Sequence, residues 1–409
     1  TFCLAYFAKP ERHPGQQETT HLSVDFPFLF LAEVASMALT NFAALTSEQL
    51  TVWSRQFWQE ARNRSFVMSF AGTTPNSMIQ RITELRKTTD GARAVITLVN
   101  DAQGDGVVGD NELEGNEEAL NSSDKVIRLD QMGHAHRSKG RMAEQESVVR
   151  FRGEAKDKLT YWLADRMDQI AFQVASGVSL TLKNNGAPRT GSQFPQLQFA
   201  QDIVAPSANR FYRWSTANGL VAGDTTQITA ADTPSWAMLV NLKAQATNSY
   251  LRPIRSDNGI DTYNVFMTPD GIAKLKQDNN FLEAWRYAQK RGNENPIFKG
   301  TPLGGREGIF IDGLNILEYR HVFNTKGAAS GSKWGAAGAI NGQRVLMCGA
   351  QALAFADIGM ADWNEKVFNY GNSPGIAVRK IVGFLKPQFY SIYSQSTEDH
   401  SVIACDTAI

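Results

Sequence analysis

The chain has 409 residues, with 41 Lys and Arg side chains against 41 Asp and Glu, so its formal net charge is zero. That balance argues against a dedicated nucleic-acid binder, which needs a basic surplus to displace counterions. Ordinary apolar content excludes a disordered, collagen-like or wholly coiled-coil chain.

The length suits two or three domain-sized pieces, or one fold with large insertions, and it can bury a core without disulfides or metals. Zero charge also removes the self-repulsion that keeps soluble monomers apart, which suits life inside an assembly. Cys3, Cys348 and Cys405 are far apart and odd in number. Neither a disulfide framework nor a zinc site is expected, and a reducing compartment at synthesis fits. On a strand, His134 and His136 would share a face; with no Cys beside them they read as exposed or packed rings.

Residues 1–25 mix Pro, His, Gln and Thr without periodicity and read as an extended arm. The missing initiator Met predicts ordinary trimming or the start of the ordered chain, and no basic segment of a signal peptide opens it. Phe26–Leu45 reaches membrane-spanning length, but Pro27, Glu33, Thr40 and Asn41 interrupt it and no basic cluster flanks it. It reads as a hydrophobic arm or helix that packs on protein.

From Leu50 to Arg64 the apolar residues Leu50, Trp53, Phe57 and Ala61 follow helical spacing. Ile79, Ile82, Leu85 and then Ala94–Val99 read as a β-rich arm. Residues 101–124 are acidic, glycine-rich and nearly free of large apolar groups, so they should project from the body. Lys125–Asp130 returns as a strand. Strand, acidic loop and strand together describe a two-stranded arm with a flexible tip.

The strongest helix runs from Val148 through Phe151, Ala155, Leu159, Trp162, Leu163, Met167, Ile170 and Val174, with Gly177 as its stop. Glu154 and Lys158 make a favourable i, i+4 pair. Arg150, Arg152, Lys156, Lys158 and Arg166, balanced by Glu154, Asp157, Asp165 and Asp168, read as a solvated mixed-charge face. Residues 178–232 look loop-rich, with turn signals at Asn185-Gly186 and Asn218-Gly219.

Asp232-Thr-Pro-Ser-Trp-Ala opens a helix to about Asn248, with proline in its first turn. A strand at Thr262–Met267 precedes helices at Thr268–Leu275 and Asn280–Arg291, implying a mixed α/β domain. Strands follow at Gly308–Ile311, Leu314–Arg320, Arg344–Cys348, Leu353–Phe355, Gly375–Lys386 and Phe389–Tyr393. Gly327–Gly342 reads as a loop.

In the acidic block, Asp101, Gln103, Asp105, Gly106 and Glu112 approach a calcium-loop pattern. Gln103 departs from it, and the flanks read as strands where helices belong. The favoured reading is a solvated turn whose carboxylates meet basic groups on a neighbour. No nucleophile elbow, phosphate loop, dinucleotide fingerprint or zinc-protease motif is present, so no catalytic residue and no cofactor are assigned.

Phe66-Val-Met-Ser-Phe-Ala-Gly72, Pro75–Gln80, Leu85–Gly91, Gly104-Asp-Gly-Val-Val-Gly-Asp110 and Leu113–Glu118 carry a resemblance. So do Asp130-Gln131, Gly140 and the helix with Arg152, Ala155, Leu159, Trp162 and Asp168. The chain resembles the major capsid proteins of tailed, podovirus-type bacteriophages, most clearly over residues 50–177. The resemblance implies an α+β class and the tailed-phage and herpesvirus capsid fold. Its parts would be an N-terminal arm and first helix (1–65), an E-loop (66–146), a P-domain spine helix (147–178), an A-domain (179–358) and P-domain return strands with the C-terminal segment (359–409).

It implies a non-enzymatic subunit of an icosahedral shell around double-stranded DNA, built from hexamers and pentamers in the host cytoplasm. Gly104, Asp110, Glu114, Glu117 and Glu118 would make intersubunit contacts, and Phe26, Phe28 and Phe30 would carry the arm onto a neighbour. The implied partners are further copies of the chain, a portal protein, a scaffolding protein and a cement or decoration protein. Packaged DNA would make weak, non-specific contacts, and no membrane is involved. A nanocompartment shell of the same fold, or a soluble enzyme, is the alternative.

Overall fold

Helix α1 (Ser47–Arg64) opens the described chain and is followed by strands β1 (Ala71–Gly72), β2 (Ile79–Ile82), β3 (Arg93–Val99), β4 (Ser122–Arg128) and β5 (Asp130–Arg137). Helices α2 (Arg141–Glu146) and α3 (Phe151–Ser176) come next. The middle holds β6 (Phe211–Ser215), β7 (Gly219–Ala222), α4 (Trp236–Asn248), β8 (Ile254–Arg255), β9 (Asp261–Met267), α5 (Pro269–Gln277) and α6 (Asn279–Tyr287). Then follow β10 (Pro302–Leu303), β11 (Arg306–Ile311), β12 (Leu314–Glu318), β13 (Gly342–Cys348) and β14 (Leu353–Phe368). β15 (Ser373–Leu385), β16 (Gln388–Ser391), β17 (Ser396–Asp399) and β18 (Val402–Ala408) complete the chain. The computed structural model describes residues 47–83, 93–99, 106–117, 122–146, 150–255, 259–287, 302–303, 306–391 and 394–409.

β14 and β15 form a long antiparallel hairpin within a five-stranded sheet ordered β1-β2-β14-β15-β5. Because strand side chains alternate faces, Phe355, Trp363, Ile376, Val378, Val382 and Phe384 pack into a core with α1 and α3. Ala354, Ala356, Ile358 and Leu385 face the other way, onto Ala94, Ile96, Ile127 and Leu129. The β3–β4 ribbon therefore lies across the sheet on the side opposite the helices.

A nine-stranded sheet has the order β10-β11-β12-β9-β13-β18-β6-β7, with β8 paired to β9. Val265, Met267, Ile316, Val345 and Ile403 pack on Leu239, Leu242, Ile272 and Leu275 of α4 and α5. The opposite face sends Phe266, Leu346, Val402 and Ala404 into the core that holds Ala171, Phe172, Val174 and Ala175 of α3. Thus α3 touches β5 and β15 of one sheet and β13 of the other. Its stripe Leu159, Leu163, Met167, Ile170 and Val174 is fully buried, each side chain contributing about 1.5–3 kcal/mol over exposure. Gly177 ends the helix at φ 64°, a conformation glycine tolerates. A Cβ there would also meet the Val204 carbonyl oxygen at 2.5 Å.

Several elements differ from the sequence reading. Val148 lies outside the described residues, and α3 begins at Phe151. α4 starts one position after Ser235, whose hydroxyl accepts from the Met238 amide, so Pro234 precedes the helix and is not in its first turn. The expected short strand at Leu353–Phe355 continues for 16 residues as β14. Residues 178–232 contain the β6–β7 hairpin, closed just after Asn218. β17 and β18 were not anticipated. Cys348 and Cys405 are buried and unbridged. Among the described residues no helix is long and apolar enough to cross a membrane.

Candidate functional site

β3 and β4 pair antiparallel from Arg93↔Arg128 to Val99↔Ser122. On the ribbon's outer face Val95 and Val126 stand directly opposite each other, 52% and 44% exposed. Between the two strands, residues 106–117 carry Asp110, Glu112, Glu114 and Glu117, all exposed, beside exposed Val108 and Leu113. Gly106, Gly109 and Gly115 take φ values of 71°, 72° and 90°, which suit glycine and few other residues. The turns close on themselves: the Asn111 amide donates to the Val108 carbonyl at 2.7 Å and the Asn116 backbone N–H to the Leu113 carbonyl at 3.1 Å.

None of the four carboxylates is ion-paired among the described residues. Residues 101–124 contain eight acidic and no basic side chains, so at net zero the remainder carries a basic excess of eight. Asp101, Gln103, Gly104, Asp105, Glu118, Phe26, Phe28 and Phe30 lie outside the described residues. Of the calcium-loop set only Gly106 and Glu112 are placed, on an exposed turn.

The base of this arm is a buried charge cluster that sequence reasoning missed. Lys380 is fully buried; its ammonium donates to Asp357, to the Gly359 carbonyl and, at 3.1 Å, to the Ile358 carbonyl. It lies 4.2 Å from the Trp58 ring centroid. Arg81 Nε donates to the same Asp357 at 2.9 Å. The cluster holds β2, β14 and β15 at the register shift between Ile358 and Asp362. At Gly383 a Cβ would meet the Arg128 carbonyl oxygen at 2.5 Å, so the ribbon rests directly on β15 backbone.

The polar side chains of α3 form cross-links where a solvated face was expected. Asp168 accepts from Ser65 Oγ at 2.5 Å, from the backbone N–H of Phe66 and Val67 at 2.9 and 3.0 Å, and from the Tyr319 hydroxyl. Burial first, and then the Asp168 charge, push the Tyr319 hydroxyl pKa well above its usual value. Arg152 grips Glu365 through Nε at 3.0 Å and Nη2 at 2.8 Å, and Lys156 reaches Glu60 at 2.9 Å.

Burial alone would raise Asp165, but hydrogen bonds and charge from His321 and Arg320, each at 2.7 Å, hold its carboxyl below the usual range. Among the described residues Glu154 and Lys158 make no pair. His134 and His136 do share a face: their ring centroids are 5.1 Å apart, and His134 stacks on Trp162 at 4.9 Å.

A cleft of about 770 Å³ lies between the end of α4, β8, β9 and the β16–β17 hairpin, lined by Tyr250, Tyr263 and Phe389 among others. Its charged groups are largely spent on each other or their neighbours: Arg210 pairs with Glu398 at 2.8 Å, and Asp399 with Lys386 at 2.8 Å. Among the described residues, the carboxylates of the acidic loop and the outer face of its ribbon stay exposed and unpaired.

The family model described as phage capsid protein matches residues 41–409. The major capsid protein of Pseudomonas phage KPP25 is 56% identical over 367 residues, covering 89% of this chain and 96% of that protein. The capsid of Ralstonia phage GP4 matches with a TM-score of 0.67 at 25% identity, covering 84% of this chain and 91% of that one. The capsid asymmetric unit of cyanophage Pam1 gives 0.64 at 19% identity, covering 84% and 92%.

The two-sheet fold, with its ribbon and exposed acidic loop, is that of phage capsids. The chain belongs to the phage capsid protein family. It is a major capsid protein, a structural component of the phage virion that self-assembles into the capsid.

Proposed function

We propose that copies of the chain form hexamers and pentamers that close into an icosahedral shell around double-stranded DNA, with the ribbon and its loop as the main contact between copies. The observation that carries this reading is the unpaired acidic loop at 106–117 on a ribbon docked by one face only. Asp110, Glu114 and Glu117, with Gly104 and Glu118, would meet cationic groups of a neighbour across a large and partly polar interface. Left-handed glycines let one loop sequence fit slightly different neighbours.

In this reading residues 1–65 are the N-terminal arm and first helix, with Phe26, Phe28 and Phe30 lying on an adjacent copy. Residues 66–146 are the E-loop, 147–178 the spine, 179–358 the A-domain, and 359–409 the return strands and C-terminal segment. The subunit performs no catalysis; its buried charge clusters join elements. Assembly takes place in the host cytoplasm with a scaffolding protein, a portal protein at one vertex and a cement or decoration protein outside. DNA inside makes weak, sequence-blind contacts. Removing residues 104–118 should leave a soluble subunit that does not close shells. Normal particles from that deletion under negative-stain microscopy would defeat the reading.

A further inference from the structure

Four aromatic rings, those of Tyr250, Tyr263, Phe389 and Tyr390, line the cleft of about 770 Å³ between the end of α4, β8, β9 and the β16–β17 hairpin. Its size suits a small-molecule ligand. Tyr263 and Phe389 are buried, while Tyr250 and Tyr390 are 62% and 51% exposed. Arg252 and Arg255, both exposed, add two guanidinium groups to the same lining. One of the rings is held at a backbone cost. α4 ends with the Leu251 N–H donating to the Ala246 carbonyl at 2.9 Å and the Tyr250 N–H to the Thr247 carbonyl at 3.2 Å. The left-handed residue in such a helix stop is usually glycine. Here it is Tyr250, at φ 52°. A bulky side chain in that region is an outlier, and strain of this kind points to a use for the side chain.

The buried acids of the cleft are saturated. Glu398 accepts from Arg210 at 2.8 Å and from Asn209 Nδ2 at 3.1 Å. Asp399 accepts from Lys386 at 2.8 Å, from Gln388 Nε2 at 2.7 Å and from the Ser207 N–H at 3.2 Å. The exposed acid, Asp261, lies 3.5 Å from Arg255. On the same wall, His400 Nε2 and Arg210 Nε are buried with no hydrogen-bond partner among the described residues. Burial and the positive charges of Arg252 and Arg210 hold the His400 pKa down, so the field at this end of the cleft is positive.

We propose that the cleft binds a nucleotide, with its base on the tyrosine rings and its phosphate on Arg252 and Arg255. Every base has a face that stacks on aromatic side chains, and guanidinium groups hold phosphate through paired hydrogen bonds. A purely apolar ligand would cover the two guanidinium groups without giving them acceptors. A cationic ligand would meet the positive field and find the buried carboxylates taken. The cleft shares no residue with the acidic loop or its ribbon, so the site stands whether or not that loop joins copies.

The test is calorimetric titration of the full-length, unassembled subunit with adenosine monophosphate, adenosine and inorganic phosphate. The nucleotide should bind once per subunit and about tenfold more tightly than either fragment, because ring and phosphate are both held. Arg252→Gln should weaken the nucleotide about tenfold and leave adenosine unchanged. Tyr250→Gly should weaken both, and it should raise the subunit's melting temperature because glycine fits the left-handed position. His400 reports the phosphate: a negative charge beside Arg252 offsets the positive field, so the ring, followed by NMR, should titrate at higher pH with nucleotide bound. This last readout needs no variant. No saturable nucleotide binding at millimolar concentration overturns the proposal. Equal affinity for the nucleotide and inorganic phosphate also overturns it, since that leaves an anion site only. Undiminished binding in both variants, or an unmoved His400 titration, places the nucleotide outside the cleft and overturns it too.

Discussion

Arg344 and Asp406 stand directly opposite each other on β13 and β18 and are joined by two parallel hydrogen bonds, Nε to Oδ1 at 2.8 Å and Nη2 to Oδ2 at 2.9 Å. The third guanidinium nitrogen, Nη1, donates to the Ser176 carbonyl at 2.9 Å. Ser176 is the last residue of α3, where carbonyls lack helical partners and the dipole favours a cation. One buried side chain therefore ties the nine-stranded sheet to the end of the long helix. Burial disfavours its charge, but Asp406 outweighs burial and leaves the Arg344 pKa raised.

Arg344→Leu strands a buried carboxylate and should destabilise the subunit by about 3–5 kcal/mol. Replacing both partners, Arg344→Leu with Asp406→Leu, should recover most of that loss, because no charge is left buried alone. Urea unfolding of the soluble subunits measures both. Equal losses in the single and double variants would show that the two residues are not coupled.

Asp168 supports the junction of α1 and α3. Asp168→Ala leaves the Ser65 hydroxyl and the amides of Phe66 and Val67 without their acceptor. Each orphaned buried group costs about 1–3 kcal/mol, so a loss of about 3–5 kcal/mol is expected after partial relaxation. Tyr319→Phe removes one donor and should cost about 1 kcal/mol. Hydrogen exchange at the Phe66 and Val67 amides should quicken in Asp168→Ala and stay slow in Tyr319→Phe.

These two sites mark where the sequence is readable and where it is not. The stripe from Leu159 to Val174 announces α3, and the acidic block between two apolar strands announces the arm, because both follow from local period and composition. Asp168, Lys380 and Asp406 give no such signal. Each is a charge inside an otherwise buried element, and its partner lies 103, 23 or 62 residues away. Read locally, Asp168 belongs to a wet face, and Asp406 interrupts the run that becomes β18. Asp357, whose charge is matched by Lys380 and Arg81, looks in sequence like the end of a strand, yet β14 runs through it to Phe368.

Gly383 sets how closely the ribbon lies on β15. Gly383→Ala places a methyl 2.5 Å from the Arg128 carbonyl oxygen and 3.0 Å from Ile127 Cγ2. Backbone cannot yield cheaply, so the ribbon must lift, at a cost of about 1–3 kcal/mol. Exchange protection and protease resistance should fall over residues 93–99 and 122–128 while α3 and the nine-stranded sheet keep theirs. Unchanged protection in the ribbon would show that it does not bear on Gly383.

His400 makes the subunit sensitive to mild acid. Its ring meets Phe389 edge-on at 5.4 Å between centroids. Burial, then the positive charges of Arg252 and Arg210, push its pKa down from 6.5 to about 4. The adjoining Asp399 gives no relief, since its carboxylate is taken by Lys386 and Gln388. In the unfolded chain His400 takes up a proton near pH 6.5, and in the folded chain only near pH 4. Between those values the unfolded state holds more protons, so stability falls as the pH is lowered.

The His400 contribution is fully present above pH 6.5 and should shrink by about 2 kcal/mol between pH 7 and pH 5. Asp232, whose carboxyl is held low by the amides of Thr216 and Thr229 against the pull of burial, acts in a separate window, losing its contribution only below its ordinary value of 3.8. His400→Phe keeps an aromatic ring beside Phe389 and removes the proton site. Its urea-unfolding free energy should be flatter than the parent's by that same amount between pH 7 and pH 5. Parallel curves for the two proteins would assign the acid sensitivity to other groups.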